Sequence, residues 1–297
     1  MARLNVVLLK GSVAREPRVS ISPDGKTGYA MVYINVGRGY RDAGDGALFM
    51  RSDNPLIMTR DMKCVEEIAT WHTYDIVDIK GMLATRTITK QSYCTYCHAI
   101  NSAQGMLVYV YPTFAKKLCH LKSAEECKQY ISACREVSNQ IYITGTLIKK
   151  PQQIKTKSGL VITQYPIKTY RKVMIRSDDP TVRADYPWVK GYGTIAEEDF
   201  KRLDVGSEVL EDGFLQVRSV LRHIMCGAVY DQNGKVETDE NGLPRMRKKS
   251  TGKTEGCGRL YDWEDRATEI VPYAVEYLGE YKGDEEDTEE GQEERAK

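Results

Sequence analysis

The chain has 297 residues, of which 41% are hydrophobic and 29% are charged. This is the composition of a soluble globular protein, and the length suffices for about two domains with a sizeable core in each half. No apolar run approaches the roughly 20 residues of a membrane span, and the start of the chain is charged too soon for a signal peptide. We therefore expect a cytoplasmic protein that binds no membrane.

Charge is unevenly distributed along the chain. The formal net charge is +1, but residues 284–297 hold eight acids and two bases, a net of −6, so residues 1–283 carry +7. A basic body with an acidic tail is typical of a protein that binds polyanions. The alternative is a solubilising tail on an ordinary protein, and charge alone leaves both open.

An internal repeat organises the sequence. The pattern Gly-x5-Pro-x7-Gly begins at Gly11 and again at Gly145, a displacement of 134 residues. Residues 82–87 are similar to residues 214–219 at a displacement of 132. Two shorter similarities agree: residues 51–55 with 176–180, and Tyr111-Pro112 with Val271-Pro272. A unit of this length indicates a duplicated domain and not a solenoid repeat.

The repeat predicts two domains and a tail. We expect the first domain over residues 1–137 and the second over residues 138–283, with an acidic disordered tail over 284–297. Residues 124–137 are rich in Glu, Lys, Ala and Cys without Pro or Gly, which predicts a helix between the halves.

Each half shows mostly strand signals interrupted by one short helix, at residues 60–70 and 194–203. Thr194 is the expected N-cap of the second helix. Three strands, a helix and two strands, with a long insertion after the fourth strand, is the order of an OB-fold, a five-stranded barrel that binds oligonucleotides. The fold class predicted is therefore mostly β, with two tandem OB-fold barrels. Strand order alone leaves small sandwiches open.

Several segments resemble a known family. Residues 5–11 with Pro17 are similar to the first hairpin of bacterial and bacteriophage single-stranded DNA-binding proteins. Residues 196–218 resemble that family's helix, turn and fourth strand. The matching stretch in the first half, residues 79–86, is still more similar to the family. Two barrels on one chain look like the family's two-domain form.

This resemblance implies sequence-nonspecific binding and protection of single-stranded DNA during replication, recombination or repair. It also implies a homodimer, and replication proteins as partners of the acidic tail. The family's tails usually end in a short apolar tip, whereas this sequence ends in Glu-Glu-Arg-Ala-Lys. We therefore do not expect this tail to recruit partners through an apolar tip as the family's tails do.

Single-strand binding needs cations for phosphates and aromatic rings on which bases stack. Both residue types occur at places that the repeat makes equivalent, although any one of them could equally be a half-buried strand residue or a solvated charge. The candidates are Arg38, Tyr40, Arg41, Arg51, Arg86 and Tyr93 in the first half, and Tyr170, Arg171, Lys172, Arg176, Trp188, Arg218 and Arg222 in the second.

Cysteines and a histidine in the insertions suggest structural zinc. Cys94 and Cys97 form a Cys-x2-Cys pair in the first half. His223, Cys226 and Cys257 resemble three ligands of a zinc ribbon, so a zinc-ribbon-like insertion is expected over about residues 223–258. We expect two separate clusters, one in each half, and unliganded thiols are the alternative. Cys119 is too far along an extended strand to complete the first cluster.

Catalysis is not expected. None of the four histidines lies in a nucleophile or hydrolase motif, and there is no phosphate-binding P-loop. Two other functions stay open: a replication-assembly adaptor whose barrels mainly bind proteins, and a zinc-ribbon RNA-binding protein.

Overall fold

The computed structural model describes residues 4–38, 51–171, 173–175 and 183–280, and in them the predicted mostly-β fold is confirmed. Four candidate residues lie outside the described residues: Tyr40, Arg41, Lys172 and Arg176. The acidic tail over 284–297 also lies outside them, so its predicted disorder stays a prediction.

The first half contains seven strands and one helix. They are β1 (Asn5–Val13), β2 (Arg18–Ile21), β3 (Gly28–Gly37), β4 (Ser52–Asp53), β5 (Leu56–Thr59), α1 (Met62–Ala69), β6 (Asp75–Tyr93) and β7 (Ile100–His120). Helix α2 (Ala124–Ala133) and a 3-10 turn (Arg135–Val137) follow, where the composition predicts a helix between the halves.

The second half repeats this order. Its elements are β8 (Asn139–Leu147), β9 (Gln152–Lys155), β10 (Val161–Tyr170), β11 (Ala184–Asp185), β12 (Trp188–Tyr192), α3 (Thr194–Arg202), β13 (Ser207–Met225) and β14 (Leu260–Glu280). Thr194 is the first residue of α3 and not its N-cap as predicted. Gly193 takes the N-cap position with a φ of 61°, a conformation that disfavours a side chain, and no side chain caps the helix.

Strand pairing closes a five-membered cycle in each half. In the first, β1 pairs with β3 and β6, β3 with β5, β5 with β7, and β7 with β6. The contact between β5 and β7 is parallel, with Ile57 opposite Val110. In the second, β8, β10, β12, β14 and β13 pair in the same cyclic order, and Val189 lies opposite Ile270. A closed cycle of five strands with a Greek-key order is that of the OB-fold.

The repeated glycines permit close strand crossings. A Cβ at Gly11 would overlap the carbonyl oxygen of Asn35 on β3. A Cβ at Gly145 would lie 2.8 Å from the side chain of Ile167 on β10. The first glycine of the repeated pattern is therefore required by the fold, because at this position β1 and β8 pass too close to the next long strand to admit a side chain.

Both halves share one sheet. Strand β1 pairs antiparallel with β8, and a single cluster of buried residues includes Leu9 and Ile79 from the first half with Ile141 and Leu215 from the second. This continuity means that the two barrels are joined by backbone hydrogen bonds and by common hydrophobic packing. Strand β8 begins at Asn139, and the domain bounds 1–137 and 138–283 stay a proposal.

The second barrel buries two carboxyl groups together. The hydroxyl of Tyr165 lies 3.1 Å from Asp199 Oδ2 and 3.0 Å from Glu211 Oε1, and all three side chains are buried. Burial raises the pKa of Asp199 to about 6 and raises the pKa of Glu211 well above its ordinary value. The hydroxyl has one proton and can donate to only one carboxyl, so a second proton on Glu211 completes the network.

This pair predicts a pH dependence of stability. The folded chain holds protons at Asp199 more tightly than the unfolded chain, in which the pKa is about 4. The contribution of Asp199 to the free energy of unfolding should therefore fall as pH rises from about 4 through about 6. Asp199→Asn removes this contribution. Between about pH 4 and about pH 6, the free energy of unfolding of the variant should therefore fall by about 1 to 3 kcal/mol less than that of the parent protein. Urea unfolding at several pH values measures both slopes, and identical slopes would contradict the assignment.

Candidate nucleic-acid interface

A second apolar cluster, rich in aromatic and methionine side chains, lies on the side of the first barrel's strands that faces away from the barrel core. Along β3, Ala30, Val32 and Ile34 point into the core, so the alternate residues Tyr29 and Tyr33 face outward. Strands β5, β6 and β7 add outward residues beside them. We call this set the ring face: Tyr29, Met31, Tyr33, Leu56, Met58, Met82, Tyr109 and Tyr111. Only its β3 residues are half-buried, whereas the other five are buried in a cluster that Ala84, Leu107 and Ile175 complete.

Arginines surround the ring face. The guanidinium of Arg60 lies 5.7 Å from the ring centre of Tyr29, and that of Arg15 lies 4.6 Å from the ring centre of Tyr33. Arg266, which comes from β14 of the second half, lies 5.3 Å from Tyr33 on the same ring. Tyr29 and Tyr33 are half-buried, whereas the three arginines are exposed. Rings bordered by free cations are the combination that single-stranded nucleic acids require.

Arg86 belongs to this surface. It follows Met82 and Ala84 on the outward side of β6, it is exposed, and its charge acts on the phenol of Tyr29. No carboxylate in the described part of the chain forms an ion pair with it. Arg86 is therefore an exposed cation beside the ring face, and its contact with DNA stays a prediction.

The equivalent surface of the second barrel is different. The strand registers align Tyr33 with Pro166, Met58 with Lys190, and Tyr109 with Glu269. Burial lowers the pKa of Lys190. Its ammonium lies 3.8 Å from the Glu269 carboxylate. The second half therefore places an ion pair where the first half places Met58 and Tyr109, and it places Trp188 where the first half places Leu56.

Arg218, which the repeat equates with Arg86, is committed to an ion pair. It donates two hydrogen bonds to Glu269, at 2.7 and 2.8 Å, and this carboxylate raises the pKa of the guanidinium. Arg222 donates to Asp265 at 2.6 Å. Each of these arginines shares its carboxylate with a lysine, Arg218 with Lys190 at Glu269 and Arg222 with Lys90 at Asp265.

Arg38 and Arg171 form two matching contacts between the halves. Arg38 donates to Asp53, which accepts the backbone N–H of Val217 in the second half at 2.8 Å. Arg171 donates to Asp185, which accepts the backbone N–H of Thr85 in the first half at 2.6 Å. The side chain of Arg171 is only 4% exposed. These two arginines therefore hold the barrels together in this structure.

This arrangement corrects the alignment of the repeat around Arg51. Strand β4 pairs with β3 as β11 pairs with β10, so residues 52–53 correspond to 184–185 and not to 177–178. The short similarity between residues 51–55 and 176–180 is thus a coincidence of sequence. Arg51 and Arg183 are both exposed. The carbonyl of Arg51 accepts the backbone N–H of Arg38 at 2.9 Å, and the carbonyl of Arg183 accepts the backbone N–H of Arg171 at the same distance.

The remaining described candidates are dispersed. Tyr93 is 63% exposed near the far end of β6. Trp188 is half-buried on the outward side of β12. Tyr170 is half-buried beneath the ammonium of Lys168, 5.1 Å from its ring centre. None of these three belongs to the ring face.

Sequence reasoning missed the tyrosines of the ring face. The signal was present in the pattern Tyr29-x-Met31-x-Tyr33, because large side chains at every second residue of a strand opposite a filled core must face outward. Arg15 and Arg60 gave no comparable signal, since their positions depend on how the loops around β2 and α1 fold.

The predicted zinc ligands form one cluster and not two. The sulfurs of Cys94, Cys97, Cys226 and Cys257 all lie within 4.8 Å of one another. His223 is not part of this group, because its side chain is exposed and contacts Asp262 at 2.6 Å. The prediction of separate clusters was wrong because the insertions of the two halves meet in space. Cys119 lies outside the cluster, as the strand length predicts.

A closed five-stranded barrel with this strand order is an OB-fold, a class whose members include oligonucleotide-binding proteins. Residues 138–224 match the single-strand binding protein family, so the resemblance seen in the sequence is confirmed for most of the second barrel. That family consists of DNA-binding proteins without enzymatic activity, in agreement with the prediction.

Solved structures show the same fold along nearly the whole chain. A deletion variant of the single-stranded DNA binding protein from Thermus aquaticus matches at 15% identity with a TM-score of 0.59, over 96% of this chain and 100% of that one. The wild-type form matches at 13% identity with a TM-score of 0.56, over 97% and 100%. No curated protein matches the sequence. In the described residues no helix is long and apolar enough to cross a membrane.

Proposed function

We propose that this protein binds single-stranded DNA without sequence specificity, and that the ring face of the first barrel is its principal contact. The observation that carries the proposal is the placement of Arg15 and Arg60 over the outward rings of Tyr33 and Tyr29. The family match and the shared fold support it. Stacking contributes about 1 to 3 kcal/mol per base, so two tyrosines and their cations are enough for useful affinity.

The cellular setting of the proposal follows the resemblance. We propose that the protein protects single strands during replication, recombination or repair in the cytoplasm of a bacterium or a phage-infected host. A homodimer and replication proteins that bind the acidic tail are part of the same proposal. The cofactor proposed is structural zinc, since four thiols are the ligand set of a closed structural site.

Titration with three nucleic acids tests the function. Fluorescence anisotropy of labelled oligo-dT, oligo-rU and a duplex would be measured over a range of salt concentrations. We expect oligo-dT to bind most tightly, with an affinity that falls as salt rises because phosphate contacts release counterions. A preference for oligo-rU would favour the RNA-binding alternative, and no binding to any of the three would favour the adaptor.

Arginine variants test which barrel supplies the cations. Arg86→Ala should weaken oligo-dT binding several-fold and should reduce the slope of log affinity against log salt by about 0.7, the value for one phosphate contact. Arg218→Ala is the matched control, because two hydrogen bonds already hold this guanidinium against Glu269. We expect it to leave the slope nearly unchanged. Equal slopes for both variants would remove Arg86 from the interface.

A further inference from the structure

Each barrel extends into a long two-stranded arm. Strands β6 and β7 pair continuously from Asp75↔His120 to Tyr93↔Ile100, although β1 contacts β6 only as far as Gly81. Strands β13 and β14 behave in the same way and end at Met225↔Leu260. We call residues 85–108 the first arm and residues 217–268 the second arm. At about 3.3 Å per residue, each arm extends well beyond its barrel.

The two arms lie against each other. Lys90 of the first arm donates to Asp265 of the second at 2.8 and 2.9 Å, and both side chains are largely buried. The hydroxyls of Ser92 and Tyr261 lie 2.6 Å apart. A buried apolar cluster also joins the arms, with Ala99 of the first packed beside Ile224 and Tyr261 of the second. In the described residues the arms are therefore joined by side chains, without a backbone ladder between them.

The four thiols lie where the arms end. Cys94 and Cys97 form the turn of the first arm, and Cys226 and Cys257 begin and end the insertion of the second. Across the junction, Cys94 Sγ lies 3.6 Å from Cys257 Sγ, and Cys97 Sγ lies 3.5 Å from Cys226 Sγ. A tetrahedral zinc ion with Zn–S distances of about 2.3 Å places its sulfurs about 3.8 Å apart. The spacing of the thiols therefore suits this ion.

Neighbouring groups orient the sulfurs as ligands. The backbone N–H groups of Tyr96 and Cys257 point at the sulfurs of Cys94 and Cys226, each at 3.4 Å. The buried amide of Asn101 in the first arm donates to Cys226 Sγ at 3.7 Å and accepts the backbone N–H of Gly227 at 2.6 Å. Asn101 thus holds a ligand of the other arm, and such outer contacts are typical of metal sites.

We propose that one zinc ion bound by Cys94, Cys97, Cys226 and Cys257 fastens the first arm to the second. Each repeat supplies two of the four ligands, so neither half can complete the site alone. Binding replaces four S–H protons with one Zn²⁺ and releases the protons to solvent. With four thiolates the coordination shell is closed, so the ion is structural. The arms and the insertion over residues 226–258 then form one metal-dependent unit outside the barrels.

Zinc content and hydrogen exchange of the full chain test this inference. Reduced protein, freed of loose metal by gel filtration, would be analysed by mass spectrometry for zinc. We expect about one zinc per chain, as a four-thiolate structural site requires. Cys94→Ser and Cys226→Ser should each abolish it, whereas Cys119→Ser, which changes a cysteine outside the cluster, should retain it.

Amide hydrogen exchange in the opposite arm distinguishes one zinc ion that joins the arms from two separate sites, one in each arm. Cys94→Ser should accelerate amide exchange in residues 260–268 of the second arm, and Cys226→Ser should accelerate it in residues 100–107 of the first. Chelation of the parent protein should reproduce both effects, and added zinc should reverse them, which guards against misfolded variants. Two zinc ions per chain, a metal-free protein with fully alkylated thiols, or loss of zinc without a change in the opposite arm would each overturn the inference. Affinity for oligo-dT is measured separately, so an absence of DNA binding can be distinguished from an absence of the zinc junction between the arms.

Discussion

Replacement of Tyr29 and Tyr33 together by alanine should reduce the affinity for oligo-dT by roughly 30-fold to 20 000-fold, because two stacked bases contribute about 2 to 6 kcal/mol. Both rings face outward from β3 and each lies beneath an arginine. Their removal takes away the stacking surface while the core residues of the strand remain. Anisotropy titration at constant salt measures the change.

Two matched variants control this experiment. The Phe pair, Tyr29→Phe with Tyr33→Phe, keeps both rings and should bind like the parent protein. Ile162→Ala with Pro166→Ala changes the corresponding positions of β10 in the second barrel, where we expect little effect on binding. If the second-barrel pair weakened binding as much as the tyrosine pair, the ring face would not be the principal contact.

Asp185→Ala should lower the free energy of unfolding by about 3 to 5 kcal/mol, because it removes the carboxylate that accepts two hydrogen bonds from a buried guanidinium. Arg171 is 4% exposed, and Asp185 also accepts hydrogen bonds from the backbone and hydroxyl of Thr85 in the other barrel. The variant therefore loses an ion pair and a contact between the halves at once. Chemical denaturation followed by circular dichroism gives the value.

An exposed ion pair provides the comparison. Lys150 and Asp204 lie 3.8 Å apart with both side chains mostly exposed, so Lys150→Ala should change stability by less than about 1 kcal/mol. Asp53→Ala, which breaks the matching contact at Arg38, should resemble Asp185→Ala with a smaller effect, since Arg38 is more exposed. A loss of less than 1 kcal/mol for Asp185→Ala would show that Arg171 is not held as described.

The fold could be predicted from the sequence because its signals are local. Alternating apolar residues in the long strands, and glycines that recur at 11 and 145, follow from requirements that each half meets by itself. The binding residues were harder to predict, because the sequence around an arginine in a strand does not indicate which carboxylate it pairs with. Arg38 and Arg171 were predicted to bind DNA, but the structure engages them with Asp53 and Asp185.

The thiol cluster shows the same limit more sharply. Cys94-x2-Cys97 is a recognisable half-site, and the spacing from Cys226 to Cys257 suggests another. Nothing in sequence spacing indicates that the arms of different repeats converge. The sequence therefore predicts that each half-site is completed by ligands from its own half of the chain. The pairing of β1 with β8, which sets the relative placement of the two barrels, had no sequence signal either.

Photocrosslinking most directly tests the claim that outward tyrosines of the first barrel contact the bases. An oligo-dT strand with iodouracil at several positions would be irradiated in complex with the full chain, and crosslinked peptides would be mapped by mass spectrometry. We predict crosslinks at Tyr29 and Tyr33 that disappear in the alanine pair. Crosslinks confined to the second barrel or to the arms would contradict the account.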